Sequence, residues 1–312
     1  MSEKMSLRNA YGKTLVELGK ENENIVVLEA DLGKSTMGIL FQEPYPDRFF
    51  EMGIAEANMA SVAGGLSLTG KIPFMASFAV FATGRCYDQI RTSICIPKLN
   101  VKICGSSAGL SDFGDGSTHQ TVEDIATMRA LPNMQVFSPV DAVETEKIVR
   151  YMAKEKGPMY LRVNRNDLPV LTSKDEEFVP GKVYTIREGK DAVVFATGVM
   201  VSIALEAAEE LEKEGVSVKV VNVPSIKPID ADSVAEIAAG VKGVVTAEEH
   251  SVIGGLGSTI CECLAPRVAK KVFFVGVQDS FGTSGENYDV LLKKYGLTKE
   301  NVMAAVKKSL ED

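Results

Sequence analysis

Short apolar runs alternate with stretches of helical period along nearly the whole chain, and that alternation leaves few folds open. "IVVLEAD" (25–31), "RFFEMG" (48–53), "IPFMASF" (72–78), "VKICGSS" (101–107), "MQVFSP" (134–139) and "MYLRVN" (159–164) read as short buried strands. Helices lie between most of them. "AEANMASVAGGLSLTG" carries Met59, Val62 and Leu66 at helical spacing. "DAVETEKIVRYMAKEKG" has Asp141 as its N-cap and is closed by Gly157. The rhythm predicts an α/β fold with a doubly wound, mostly parallel sheet and ligands at the strand C-termini.

The rhythm breaks once. "NRNDLPVLTSKDEEFVPGKVYTIREGKD" (164–191) is polar, holds two prolines and reads as a linker with one edge strand. Alternation then resumes through "AVVFATG", "SVKVVNV", "GVVTAEE" and "KVFFVGV", with two helices at the end. We therefore expect two domains, 1–180 and 181–312, and 312 residues suffice for a core in each. A net charge of −8 without any Lys/Arg block argues against nucleic acid or an anionic membrane as partner. No apolar run reaches the length of a membrane span, and the N-terminus does not read as a signal peptide, so a cytoplasmic protein is expected. The five cysteines read as small buried hydrophobes in a reducing compartment.

"GDGSTHQ" (114–120) holds one of only two histidines, His119. A Gly-Asp-Gly turn can open a site for a hard cation and a diphosphate, given an asparagine about two dozen residues on. Asn133 comes too soon and enters a strand, so the metal reading is rejected. The loop nevertheless follows a strand. Asp115 and His119 there could bind sugar hydroxyls or relay protons, or they could decorate a polar surface turn; the residues alone leave both open. Glu56 reads first as an acidic residue favoured by a helix N-terminus. Phe78 and Phe81 read first as core. "ADLGKS" (30–35), with Asp31 and Ser35, has the composition of a ligand loop. "VIGGLGSTI" (252–260) lacks the dinucleotide spacing and reads as close packing at a helix N-terminus.

Taken in order, "RFFEMGIAEANMASVAGGLSLTGKIPFMASFAVF", "GDGSTHQTVEDIATMRALPNMQVFSPVDAVE", "LRVNRNDLP" and "VGVQDSFGTSGENYDVLLKKYGLT" resemble the C-terminal half of the transketolase family. The resemblance implies a thiamine-diphosphate pyrimidine-binding fold followed by a transketolase C-terminal fold. It implies that Glu56 meets N1′ of the cofactor's aminopyrimidine, that Phe78 and Phe81 pack against that ring, and that His119 lies by the reacting carbon. It further implies that Asp115 binds a donor-sugar hydroxyl, and that Arg8, Ser35 and Arg165 hold the sugar phosphate, with Asp31 also on the substrate side. Ser107 and Gly84 depart from the family, standing where a further histidine and a third aromatic are common. The implied reaction moves a two-carbon ketol unit from a ketose phosphate to an aldose phosphate, a step of the pentose phosphate pathway.

The family's diphosphate-binding domain has no counterpart in this sequence. The resemblance therefore implies a split enzyme, whose N-terminal subunit holds the diphosphate and its Mg2+ or Ca2+, with a homodimer core within a heterotetramer. The β subunit of a 2-oxoacid dehydrogenase is a competing reading, but it would not need Arg8 and Arg165. A deoxyxylulose-phosphate-synthase-like enzyme is a more distant relative. A non-catalytic regulatory subunit would not need Glu56, Asp115 and His119.

Overall fold

The computed structural model describes residues 3–311; residues 1, 2 and 312, at the ends of the two expected spans, lie outside it. Its strands, in chain order, are β1 (Lys4–Ser6), β2 (Ile25–Glu29), β3 (Phe49–Glu51), β4 (Ile72–Phe78), β5 (Lys102–Ser106), β6 (Gln135–Phe137), β7 (Met159–Arg162), β8 (Asp167–Pro169), β9 (Tyr184–Arg187), β10 (Ala192–Ala196), β11 (Val218–Asn222), β12 (Ser225–Lys227), β13 (Gly243–Ser251) and β14 (Val272–Val277). All six runs expected as strands in the first half are strands. β2, β5 and β10 are buried at every residue, as a parallel sheet covered by helices on both faces requires.

Two sheets carry the molecule. In the first, β6, β7, β5, β4, β2 and β3 run parallel in that order, and β12 adds antiparallel beside β6. In the second, β14, β13, β10 and β11 run parallel, and β9 pairs antiparallel beyond β11. β2 has β3 on one side and β4 on the other, so the winding reverses there. The C-terminal ends of β2 to β5 then lie along one edge of the sheet, the place where α/β sheets take ligands. No helix among the described residues is long and apolar enough to cross a membrane.

Three local differences from the expectation have simple causes. The polar segment 164–191 holds two short strands, not one: β8 pairs with β1, and β9 with β11. The helix capped by Asp141, whose Oδ1 accepts the Glu144 N–H at 2.8 Å, ends at Lys154, and Gly157 makes a left-handed turn beyond it (φ +108°). The segment after β4 winds as two wide π-helical turns, Phe81–Arg85 and Ile90–Cys95, around a short helix. Thr83 Oγ1 and Cys86 Sγ donate to the carbonyls of Ala79 and Ala82 within it. Such turns occur frequently at functional sites.

The two sheets meet across a buried ionic cluster. Arg162, at the end of β7, donates to Asp124 Oδ2 at 2.9 Å and to the Glu249 carbonyl at 2.8 Å. Tyr160 donates to the same Asp124 carboxylate at 2.8 Å. Glu249, on β13, accepts the Leu110 N–H at 2.8 Å and the Asn164 amide at 3.2 Å. Burial pushes Glu249 up to about 7, with the Arg162 charge pulling the other way. Burial also drives His250 down to about 4; its neutral Nε2 accepts the Ala126 N–H at 3.2 Å.

The "GGLG" turn is close packing. Glu248 accepts the N–H groups of Leu256 (2.6 Å) and Gly257 (2.9 Å), so this helix N-terminus already holds a carboxylate of its own chain. A Cβ on Gly255 would lie 2.0 Å from Glu248 Oε2, which leaves glycine as the residue that fits.

Candidate active site

The C-terminal ends of β2 to β5, and of β7 beside β5, each lead to one or more polar or aromatic groups. After β2 comes the loop of Asp31 and Ser35, and after β3 the helix Glu56–Leu68, with Glu56 as its first residue. β4 ends on Phe78 and runs into the π-helical turn of Phe81 and Arg85. β5 leads to Asp112, Asp115 and His119, and β7 to Arg165.

The side chains form one chain of contacts. Phe78 and Phe81 stack with centroids 6.1 Å apart and planes 14° from parallel. His119 stands edge-on to both, at 5.2 Å from Phe81 and 6.2 Å from Phe78. Its Nδ1 is 2.9 Å from Thr118 Oγ1, which leaves Nε2 for another partner. Arg85 lies over the Phe81 ring, 3.9 Å from its centroid, and its Nη1 donates to Glu56 Oε1 at 2.8 Å. Glu56 is only 4% exposed.

On the other side, the Arg165 guanidinium is 5.8 Å from the Phe78 centroid and donates to Asp112 Oδ2 at 2.6 Å. Arg8 donates to the carbonyls of Arg165 (3.1 Å) and Ser35 (2.6 Å). Burial and the Arg165 charge both pull Arg8 below its ordinary value, while Asp167 and Asp112 oppose this. Burial raises Asp112, and Arg165 draws it back. Two guanidinium groups, with Asp112 and Asp167 near them, offer several N–H donors to an anion.

The His119 loop is pinned by the second half of the chain. Gly116 (φ +77°) lies so close to Ser284 that a Cβ would be 2.8 Å from its N–H. Gln120 Nε2 donates to the carbonyls of Asp112 (2.9 Å) and Thr283 (3.0 Å), and the Gly285 N–H to Phe113 at 2.9 Å. "GDGSTHQ" is thus a clamped loop at a strand C-terminus and not a free surface turn. Asn133, weighed above as a metal ligand, donates its amide to the Cys95 carbonyl ahead of β6.

Of the residues singled out from the sequence, Glu56, Phe78, Phe81, His119, Arg8, Ser35 and Arg165 fall within this set of contacts. Asp31 and Asp115 are exposed on the loops that carry Ser35 and His119, outside it. The Asp31 N–H is bound by Glu51 Oε1 at 2.8 Å, which also holds the Gly53 N–H. Ser107 is buried with its hydroxyl unpartnered, and a Cβ on Gly84 would meet open space. Arg85 and Asp112 went unread. Their only sequence signal is position: each is a charged residue a few places past the end of an apolar strand.

This α/β protein thus gathers a buried carboxylate, stacked phenyl rings, an imidazole and two guanidinium groups at the C-terminal ends of a parallel sheet. The chain belongs to the transketolase family. Residues 3–170 match the transketolase pyrimidine binding domain, and residues 181–302 the transketolase C-terminal domain. It is 44% identical to the transketolase C-terminal section of Methanocaldococcus jannaschii, covering 98% of this chain and 96% of that protein. It is 41% identical to the 6-deoxy-6-sulfo-D-fructose transketolase subunit of a Clostridium species, over 96% and 92%. Among solved structures, a split-gene transketolase described as an inactive β4 tetramer superposes with a TM-score of 0.90 at 51% identity, covering 99% of each chain. The same chain spans 49% of the length of the human and mouse transketolases that it matches.

Proposed function

We propose that this chain is the catalytic half of a split transketolase that holds the cofactor's aminopyrimidine and the sugar, while an N-terminal subunit holds the diphosphate and its Mg2+ or Ca2+. The observation that carries this reading is Glu56: a carboxylate 4% exposed, linked through Arg85 to the stacked Phe81 and Phe78. The donor set fits thiamine diphosphate, because a flat ring with a basic nitrogen needs both a buried proton partner and an aromatic face. Arg85, itself flat and rich in N–H groups, lies against both. The family supports a two-carbon ketol transfer from a ketose phosphate to an aldose phosphate. We divide the chain at about residue 180, and assign the assembly a homodimer core within a heterotetramer. The five free cysteines support a cytoplasmic setting.

When bound, the cofactor supplies the nucleophilic carbon and the electron sink; the protein supplies orientation and proton handling. Glu56 holds and returns a proton at the ring nitrogen beside it, in a place that water scarcely reaches. Phe78 and Phe81 fix the plane of that ring. His119, held at Nδ1 by Thr118, serves through Nε2 as the hydrogen-bond and proton partner of the sugar oxygen where charge changes. Asp115 holds a sugar hydroxyl, with Asp31 at the rim. Arg8 and Arg165 hold the phosphate, and the Ser35 carbonyl keeps Arg8 in place.

The test of the split reading is reconstitution. The isolated chain is expected to fold, to bind thiamine diphosphate weakly and to be inactive; mixing with the N-terminal subunit restores activity. Robust turnover by this chain alone would refute it.

The anion site makes a second prediction. Arg165→Ala raises KM for a phosphorylated ketose by about 10- to 150-fold, the worth of one charge-assisted contact at roughly 1.5–3 kcal/mol. KM for hydroxypyruvate, which has no such group, stays nearly unchanged. Asp112→Asn is added in the same variant so that no buried carboxylate is left unpaired. Equal losses with both donors would make Arg165 structural. Asp112 also favours a second reading, because its carboxylate, with Asp167 near Arg8, offsets guanidinium charge and so suits an end group of lower charge than a phosphate. The name of the Clostridium relative includes a sulfonated sugar. Comparing a 6-phosphate with a 6-sulfonate donor separates the two readings.

A further inference from the structure

We propose that Arg85 is a displaceable occupant of the pyrimidine site: its guanidinium bonds Glu56 and covers Phe81 until the cofactor ring takes both. This rests on the function proposed above. Arg85 satisfies two requirements at once, a bond to Glu56 Oε1 at 2.8 Å and a place over the Phe81 ring at 3.9 Å. Those are the two groups on which the aminopyrimidine depends. Guanidinium is a flat, delocalised, N–H-bearing group that can stack and bond a carboxylate together, so it imitates the ring it would yield to.

Burial decides which partner moves. Glu56 is 4% exposed and Phe81 9%, whereas the Arg85 side chain is 49% exposed. The arginine therefore lies on the solvent side and can leave without disturbing what lies beneath it. The device has a purpose in a split enzyme. Without Arg85, the free chain would present a carboxylate only 4% exposed without the cation that pairs with it, which is costly. With it, the free chain is stabilised, and cofactor affinity falls by the fraction of molecules in which the site is covered.

The alternative is an arginine that stays and helps to bind the cofactor, and the sign of one measurement separates the two. The complex with the N-terminal subunit is stripped of cofactor and titrated calorimetrically with thiamine diphosphate in the presence of Mg2+. For Arg85→Ala and Arg85→Gln, the dissociation constant is expected to fall by about threefold to thirtyfold, the range of a half-exposed ion pair plus a cation–π contact. Association is expected to quicken. Arg85→Lys, which keeps the charge but not the flat face, falls between these variants and wild type. The cofactor-free chain carrying Arg85→Ala melts at a lower temperature than wild type. Weaker stability with tighter cofactor binding is a combination that structural damage does not produce. Unchanged or weaker binding in both variants, with wild type binding normally, overturns the Arg85 proposal alone. A wild-type complex that takes up no thiamine diphosphate overturns the function proposed above, and this inference with it.

Discussion

Glu56→Gln lowers kcat of the reconstituted enzyme by about 10²–10⁴-fold, the usual worth of a positioned proton donor and acceptor. The substitution keeps the shape of the side chain and a hydrogen bond to Arg85, so the fold and the complex survive; circular dichroism and size-exclusion chromatography check this. What it removes is an oxygen that can give up and regain a proton. Because Glu56 begins the helix Glu56–Leu68 and is 4% exposed, no water stands ready to replace it. KM for the sugars should move little, since the proposed anion site is built on Arg8 and Arg165, whereas Glu56 pairs with Arg85. A variant that turns over at near-normal rate would remove Glu56 from the chemistry.

The second large effect is on stability. Arg162→Met costs about 3–5 kcal/mol, as expected when the cation of a buried ionic cluster is deleted and its carboxylate partner Asp124 is left unpaired. Arg162 is 5% exposed, Asp124 0% and Glu249 2%, so neither carboxylate can turn to water. Denaturant unfolding at pH 7 measures the loss. The pH profile adds a sign. A carboxylate raised to about 7 by burial keeps its proton in the folded chain while the unfolded chain has released it. Its contribution is full below the ordinary carboxylate range and is lost as pH rises through about 7. Arg162 pulls Glu249 down, so its removal widens that window upward and makes the variant weakest at alkaline pH. A variant within about 1 kcal/mol of wild type, well under the usual cost of such a deletion, would show that the cluster is not ionised. The Leu110 N–H, at the base of the His119 loop, is held by Glu249. Some activity should therefore be lost along with stability.

The elements that a single stretch of sequence specifies were legible. A run such as "IVVLE" can be buried on both faces only inside a parallel sheet, and Asp141 ahead of a periodic stretch caps a helix wherever the helix packs. The placement of Glu56, Phe78 and His119 at strand ends followed from the alternation, but the residues alone left Glu56 as an ordinary helix-start acid and Phe78 as core. Only the family resemblance linked them. What stayed hidden depends on partners far away in the chain. Arg85 and Asp112 gain meaning from Glu56 and Arg165, and Arg162 from Asp124 and Glu249. β12 is three residues long, too short for a period to register. The π-helical turns, "FATGR" and "IRTSIC", mix apolar and polar residues as an ordinary helix does.

β12 comes from the second half of the chain, yet it hydrogen-bonds along the outer edge of the first sheet, beside β6. That disfavours dividing such a chain between the two sheets. A cut near residue 180 would strip β6 of its neighbour and leave a row of bare backbone groups, ready to recruit a strand from any passing copy. The product would be a self-associating fragment. A division that keeps the pyrimidine and C-terminal portions in one reading frame spares that edge, and the two sheets are then inherited as a single unit.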